Sequence, residues 1–212
     1  ADCLSARDAN GAFLLAAKPK NWNGDLVVFA HGGPAVEPPT ASYSMGDLTK
    51  YGVAVRRGYA WVASSYRREG YGVRMAAADT DMARRFFVEA VGKPRRVILH
   101  GVSYGGLVGA KLLEAFATSP DGGKNYDAAL LTSGLMTGSV RGYEFRVDLR
   151  AVYQHYCKNL PRPDEAQYSL WIGIPAESKL DMRGLSALVD ECTGASKPAS
   201  ERNDRQKRNL AN

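Results

Sequence analysis

The sequence predicts an α/β fold: a mainly parallel sheet with helices on its faces. Three observations predict it. Apolar runs of strand length recur at residues 12–17, 26–30, 59–65, 97–99 and 128–133. Segments with helical spacing separate most of them, at 47–57, 79–91 and 107–116. Two glycine-bearing turns, His31-Gly32-Gly33-Pro34 and Gly101-Val102-Ser103-Tyr104-Gly105-Gly106, directly follow such runs. Strand, helix, strand in repetition gives parallel pairing through right-handed crossovers. Ligands of such sheets sit off the carboxyl ends of the strands, where both turns fall.

The elements follow in order. Residues 12–17 read as an early strand ended by Lys18-Pro19-Lys20, and Asn21-Trp22-Asn23-Gly24-Asp25 is a turn cluster. Leu26-Val27-Val28-Phe29-Ala30 has no polar alternation, as a strand buried on both faces requires. Gly58 ends the helix of 47–57, and Gly92-Lys93-Pro94 ends that of 79–91. From Met136 the alternation stops. Residues 141–156 suit a helix with Phe145, Leu149, Val152 and Tyr156 along one side, and 180–192 suit another. Residues 196–212 are polar and basic and read as exposed loop.

Composition narrows the class. The 212 residues suffice for one domain with a proper core, or for a domain carrying an insertion. With 28 basic and 22 acidic residues the net charge is +6, but no basic face with interleaved aromatics points to nucleic acid. No membrane-length apolar run is present. No P-loop or dinucleotide fingerprint signals a cofactor, and no C-x-x-C pair signals zinc. Of the three cysteines, Cys157 and Cys192 share the C-terminal region and make a plausible disulfide. Cys3 is then left over, as a free thiol or bonded outside the chain. The Ala1-Asp2-Cys3 start and the expected disulfide lean towards a secreted or periplasmic protein, although an artificial boundary would look the same.

The chemistry is concentrated at Ser103. A bare G-x-S-x-G arises by chance, but here a strand enters it and a helix leaves it. That context turns the chain sharply and lifts the hydroxyl clear of the sheet edge. Free N–H groups of the following helical turn suit a developing oxyanion. Gly32 and Gly33 let the main chain approach a ligand and offer N–H groups, to act with the N–H of Tyr104. His31 beside these glycines reads as a neutral post that shapes the loop, and His100 as a packed histidine under the turn.

These motifs and the strand rhythm around them resemble the α/β-hydrolase superfamily. The resemblance implies a core at residues 1–135, Ser103 as nucleophile, and the Gly33 and Tyr104 amides as oxyanion donors. It implies a mostly helical cap at 136–212, whose Trp and Tyr residues favour apolar or aromatic acyl groups. The His-Gly-Gly-Pro spelling also resembles proline iminopeptidase-like enzymes. An ester hydrolase is therefore expected, with a serine peptidase or amidase, or a non-catalytic binding protein of the same fold, as alternatives. The chain departs from the family's Ser, acid, His order: His155, inside the cap, is the one histidine after Ser103, and it reads as structural. The expectation is that a second polypeptide, left by a nick in the cap, supplies the last strands, the acid and the histidine. A truncated chain is the competing account.

Overall fold

The computed structural model describes residues 1–33 and 37–211; Pro34 of the first glycine turn lies outside the described residues. The chain divides into two units, Ala1–Gly138 and Ser139–Asn212.

The first unit is a six-stranded sheet in the order β1-β2-β4-β3-β5-β6. Its strands are β1 (Asp2–Arg7), β2 (Phe13–Lys18), β3 (Asp25–Ala30), β4 (Ala60–Ser64), β5 (Arg96–Val102) and β6 (Ala128–Thr132). β1 and β2 pair antiparallel, as do β2 and β4. β4, β3, β5 and β6 run parallel. The helices are α1 (Tyr43–Tyr51), α2 (Val53–Arg56), α3 (Val73–Ala90) and α4 (Tyr104–Phe116). This is the architecture of the α/β-hydrolase fold. From β3 the chain steps to β4 on one side, then crosses back through α3 to β5 on the other. The carboxyl ends of β3 and β5 therefore flank the point where the strand order reverses, which is where sheets of this kind bind their ligands.

Burial follows the pleat. Leu26, Val28 and Ala30 of β3 face one core with Phe87 of α3 and Val108 and Leu112 of α4. Val27 and Phe29 face the other with Trp61, under Leu48 and Tyr51 of α1. A strand with apolar neighbours on both faces needs the unbroken apolar run its sequence shows.

The structure corrects four expectations. β1 was not anticipated; as an exposed edge strand with charged ends, Asp-Cys-Leu-Ser-Ala-Arg carries no apolar run. The helix expected at 47–57 is two helices broken at Gly52, whose backbone lies against the Leu48 carbonyl. α3 starts at Val73 instead of 79, because Asp79 and Asp81 point inward. Asp79 accepts from Arg67, and Asp81 accepts from Arg84, Arg85 and the Tyr126 hydroxyl. Residues 196–212 are not a loop throughout, as the second unit shows.

That unit holds α5 (Ser139–Cys157), α6 (Met182–Thr193) and α7 (Asp204–Ala211), with short 3-10 turns at Leu170–Ile172 and Ala199–Glu201. Cys157 and Cys192 form a disulfide joining the ends of α5 and α6, and Cys3 is free and exposed. Phe145, Leu149, Val152 and Tyr156 of α5 are exposed. Buried Asn159 accepts from the Tyr153 hydroxyl and donates to the Leu188 carbonyl, both at 2.8 Å. α7 forms because Asn203 and Gln206 bond reciprocally, side chain to backbone, in a capping box. The Gln206 amide then donates to the Glu191 carbonyl, and that of Asn209 to the Cys192 carbonyl, so α7 satisfies the open end of α6.

Candidate active site

Ser103 stands between β5 and α4 with φ +55° and ψ −118°. A side chain rarely adopts this region, and such strain persists only where the surroundings enforce it. Three contacts do so. The Ser103 N–H donates to the Thr132 carbonyl at the end of β6, 2.9 Å away. The Ser103 carbonyl accepts from the Gly106 N–H at 2.9 Å. Gly105 presses so closely on the end of β3 that a Cβ there would lie 1.9 Å from the Ala30 carbonyl oxygen. The G-x-S-x-G spacing is thus a packing requirement of this turn.

The first glycine turn lies against the second. A Cβ on Gly32 would meet the Val102 carbonyl at 2.8 Å and Ser103 Cβ at 3.2 Å. Gly33 has φ +72° and open space beside it. Tyr104 is the first residue of α4, so its N–H precedes any intrahelical acceptor. The structure therefore brings Gly32 and Ser103 together, with Gly33 next along the turn and the Tyr104 amide at the helix start.

His31 is 1% exposed. Burial pushes its pKa down to about 4, so it is neutral at neutral pH. Its ring stacks on Tyr66 with centroids 4.0 Å apart and lies 4.7 Å from that of Tyr43. Its Nδ1 lies 3.3 Å from the Gly32 carbonyl oxygen. His31 is built into the wall as a post. His100 packs edge-on against Phe29 and Tyr51, and burial lowers its pKa. Neither is placed as a base. In the second unit, exposed His155 sits edge-on to Tyr156.

Sequence reasoning missed Tyr66. It is 2% exposed, has φ +58°, and donates its hydroxyl to the His31 carbonyl at 3.3 Å. Its ring also lies edge-on to that of Tyr104, 6.3 Å away. Burial raises its pKa well above the ordinary tyrosine value, which keeps the donor protonated. One side chain therefore touches both the glycine turn and the residue after Ser103. The following loop is pinned by Arg67, whose backbone N–H and guanidinium both donate to the fully buried Asp79. A Tyr-Arg pair directly after a buried strand, with two aspartates inside the next helix, was the available signal.

Among the described residues no group of three or more His, Cys, Asp or Glu gathers to hold a metal, and no helix is long and apolar enough to cross a membrane.

No family model matches the sequence, and no curated protein matches it. Solved structures are similar in part. Esterase 2 of the planctomycete Thermogutta terrifontis, phosphorylated by paraoxon, is 20% identical over 63% of this chain and 57% of its own, with a TM-score of 0.45. Its propionate-bound form is 21% identical over 64% and 55%, also at 0.45. EstE5 soaked with p-nitrophenyl butyrate is 22% identical over 69% and 49%, at 0.47. The chain spans about half the length of these structures.

Proposed function

We propose that this chain is the nucleophile-bearing part of a serine hydrolase that cleaves carboxylic esters through an acyl-enzyme on Ser103. The observation that carries the reading is the strained Ser103 at the head of α4 with Gly32 packed against it. Among the described residues no other serine combines a strained backbone, a helix N-terminus and a glycine turn at one sheet end.

In this reading Ser103 Oγ attacks the ester carbonyl carbon as a histidine base takes its proton. The tetrahedral oxyanion accepts hydrogen bonds from the Gly33 and Tyr104 amides, each worth about 3–4 kcal/mol in comparable sites. Collapse expels the alcohol, protonated by the same histidine, and leaves the acyl group on Ser103. Water activated by that base then releases the acid and restores the serine.

The acid and histidine come from a further part of the fold, on a second polypeptide. Two features of the first unit support this. Ala128, Ala129 and Leu130 of β6 are exposed, whereas the inner strands β3 and β4 are buried throughout. Val27, Tyr51, Ile98, His100 and Leu130 also line a hollow of about 320 Å³ beside α1. A parallel sheet needs both faces covered. Residues 136–212 act as a cap that favours apolar or aromatic esters, and the exposed apolar side chains of α5 support this. Export from the cytoplasm is supported by the Cys157–Cys192 disulfide.

The test is turnover of an ester and its matched amide by the purified protein and by Ser103→Ala. Ester hydrolysis that disappears in the variant supports the reading. Preference for the amide replaces it with a peptidase or amidase. Ester turnover unchanged in the variant sinks it.

A further inference from the structure

α5 carries apolar side chains on two opposite sides. Its inner side is held by the rest of its own unit. Arg150 donates to the Leu160 carbonyl and the Tyr168 hydroxyl, Gln154 donates to the Pro161 carbonyl, and Cys157 is bonded to Cys192. Spaced i, i+4 and i+7, these three share one helix face. Two exposed apolar stripes lie outside it. Val140, Tyr143 and Val147 form the first. Phe145, Leu149, Val152 and Tyr156 form the second, on the side of the helix opposite the first at 3.6 residues per turn. A helix that caps a site lays only one of two opposite stripes on it, so the other is left for a different partner.

The second stripe has the sharper pattern. Its members are between 42% and 65% exposed. They are spaced 4, 3 and 4 residues apart, the d, a, d, a order of a helix seam. That spacing is the same in either direction. A second copy laid antiparallel therefore places Phe145 opposite Tyr156 and Leu149 opposite Val152, aromatic on aromatic and aliphatic on aliphatic. The flanks agree with this direction. Antiparallel pairing brings exposed Asp148 to exposed His155 of the second copy, and the twofold axis repeats the pair. Parallel pairing would instead set Arg141 against Arg146, like charge on like. We propose that the Phe145–Tyr156 stripe of α5 is a dimerisation seam whose partner is a second copy of this chain, docked antiparallel. The contact belongs to the small class, below about 1,200 Å² in total, so it forms at micromolar concentrations and above. It does not depend on the chemistry at Ser103.

Sedimentation velocity of the full chain from about 1 to 200 μM tests this. Cys3→Ser is present throughout, so that the exposed thiol cannot join two copies. The seam is expected to carry the chain from monomer to dimer over that range. Leu149→Glu is expected to weaken the dimer at least about 10-fold, and Val147→Glu on the opposite stripe to change it less than about twofold. Asp148→Lys is expected to weaken it about 3- to 10-fold, and adding His155→Glu to restore it. All four positions are exposed, and circular dichroism checks that each variant keeps its helices. A monomer at every concentration, or a dimer indifferent to Leu149→Glu, would overturn the proposal. A charge swap that fails to restore the dimer would overturn its antiparallel register.

Discussion

The Tyr66 hydroxyl donates to the main-chain carbonyl of His31 at 3.3 Å while its ring stacks on the His31 imidazole. This couples the end of β4 to the glycine turn after β3, two residues from Gly33. Removing only the hydroxyl leaves the stack intact and frees the turn. Tyr66→Phe is expected to lower kcat for an ester about 10-fold with KM nearly unchanged, and to lower stability by about 1 kcal/mol. Steady-state kinetics beside urea unfolding checks it; a rise in KM at constant kcat would assign Tyr66 to substrate binding instead.

The close approach of Gly105 to Ala30 makes a second expectation. A methyl group there cannot fit without moving β3 or α4. Gly105→Ala is expected to destabilise the first unit by about 3 kcal/mol or more, the upper range for overpacking. The midpoint of urea unfolding measures it, and a loss under about 1 kcal/mol would mean that the turn is looser than this geometry.

Two groups near the glycine turn, buried His31 and half-buried Asp47, oppose each other in pH dependence. Burial lowers the His31 pKa from 6.5 to about 4, so the unfolded chain binds more protons between those values. Its contribution is present above pH 6.5 and lost as pH falls to 4. Burial raises the Asp47 pKa from 3.8 to about 6, against a smaller opposing effect of Lys50. Its contribution is present below pH 3.8 and lost as pH rises through 6. The two slopes offset each other between pH 4 and 6. Asp47→Asn is expected to unmask His31, so that stability falls on acidification from pH 6.5 to 4 by about 1–2 kcal/mol more than in the wild type. Above pH 6 the variant gains about 1–2 kcal/mol, allowing for the part of Asp47 that reaches solvent. Unfolding curves at four pH values check both signs.

The Cys157–Cys192 bond closes a loop with a sequence separation of 35 residues. On the chain-entropy account such a bond contributes about 3–4 kcal/mol. Cys157→Ser with Cys192→Ser is expected to lower amide protection across α5, α6 and α7, read by hydrogen exchange, while β3 and β5 keep theirs. Uniform loss over both units would contradict a stabilisation confined to the second.

Much of the first unit was legible because its signals are local. Leu26 to Ala30 and Val97 to Leu99 are uninterrupted apolar runs, and Gly101, Gly105 and Ser103 lie within five residues of one another. The pressing of Gly32 on Ser103 was implied by pairing the two motifs, though their contact spans 71 residues. What escaped is non-local or polar. Tyr66 meets His31 across two strands, and the Tyr66-Arg67 pair after a buried strand marks the loop without identifying that partner. Asp79 and Asp81 look like surface charges until Arg67 and Tyr126 arrive from elsewhere in the chain. The Asn203–Gln206 capping box was legible in principle, but high polarity masked it as loop.

Intact-mass spectrometry of the purified protein before and after an alkyl fluorophosphonate tests the central claim most directly. The account predicts one probe-sized gain on this chain, mapping to the peptide that carries Ser103, abolished by Ser103→Ala and slowed by Tyr66→Phe. A protein that hydrolyses esters yet gains no mass, or gains it on another residue, would contradict Ser103 as the nucleophile.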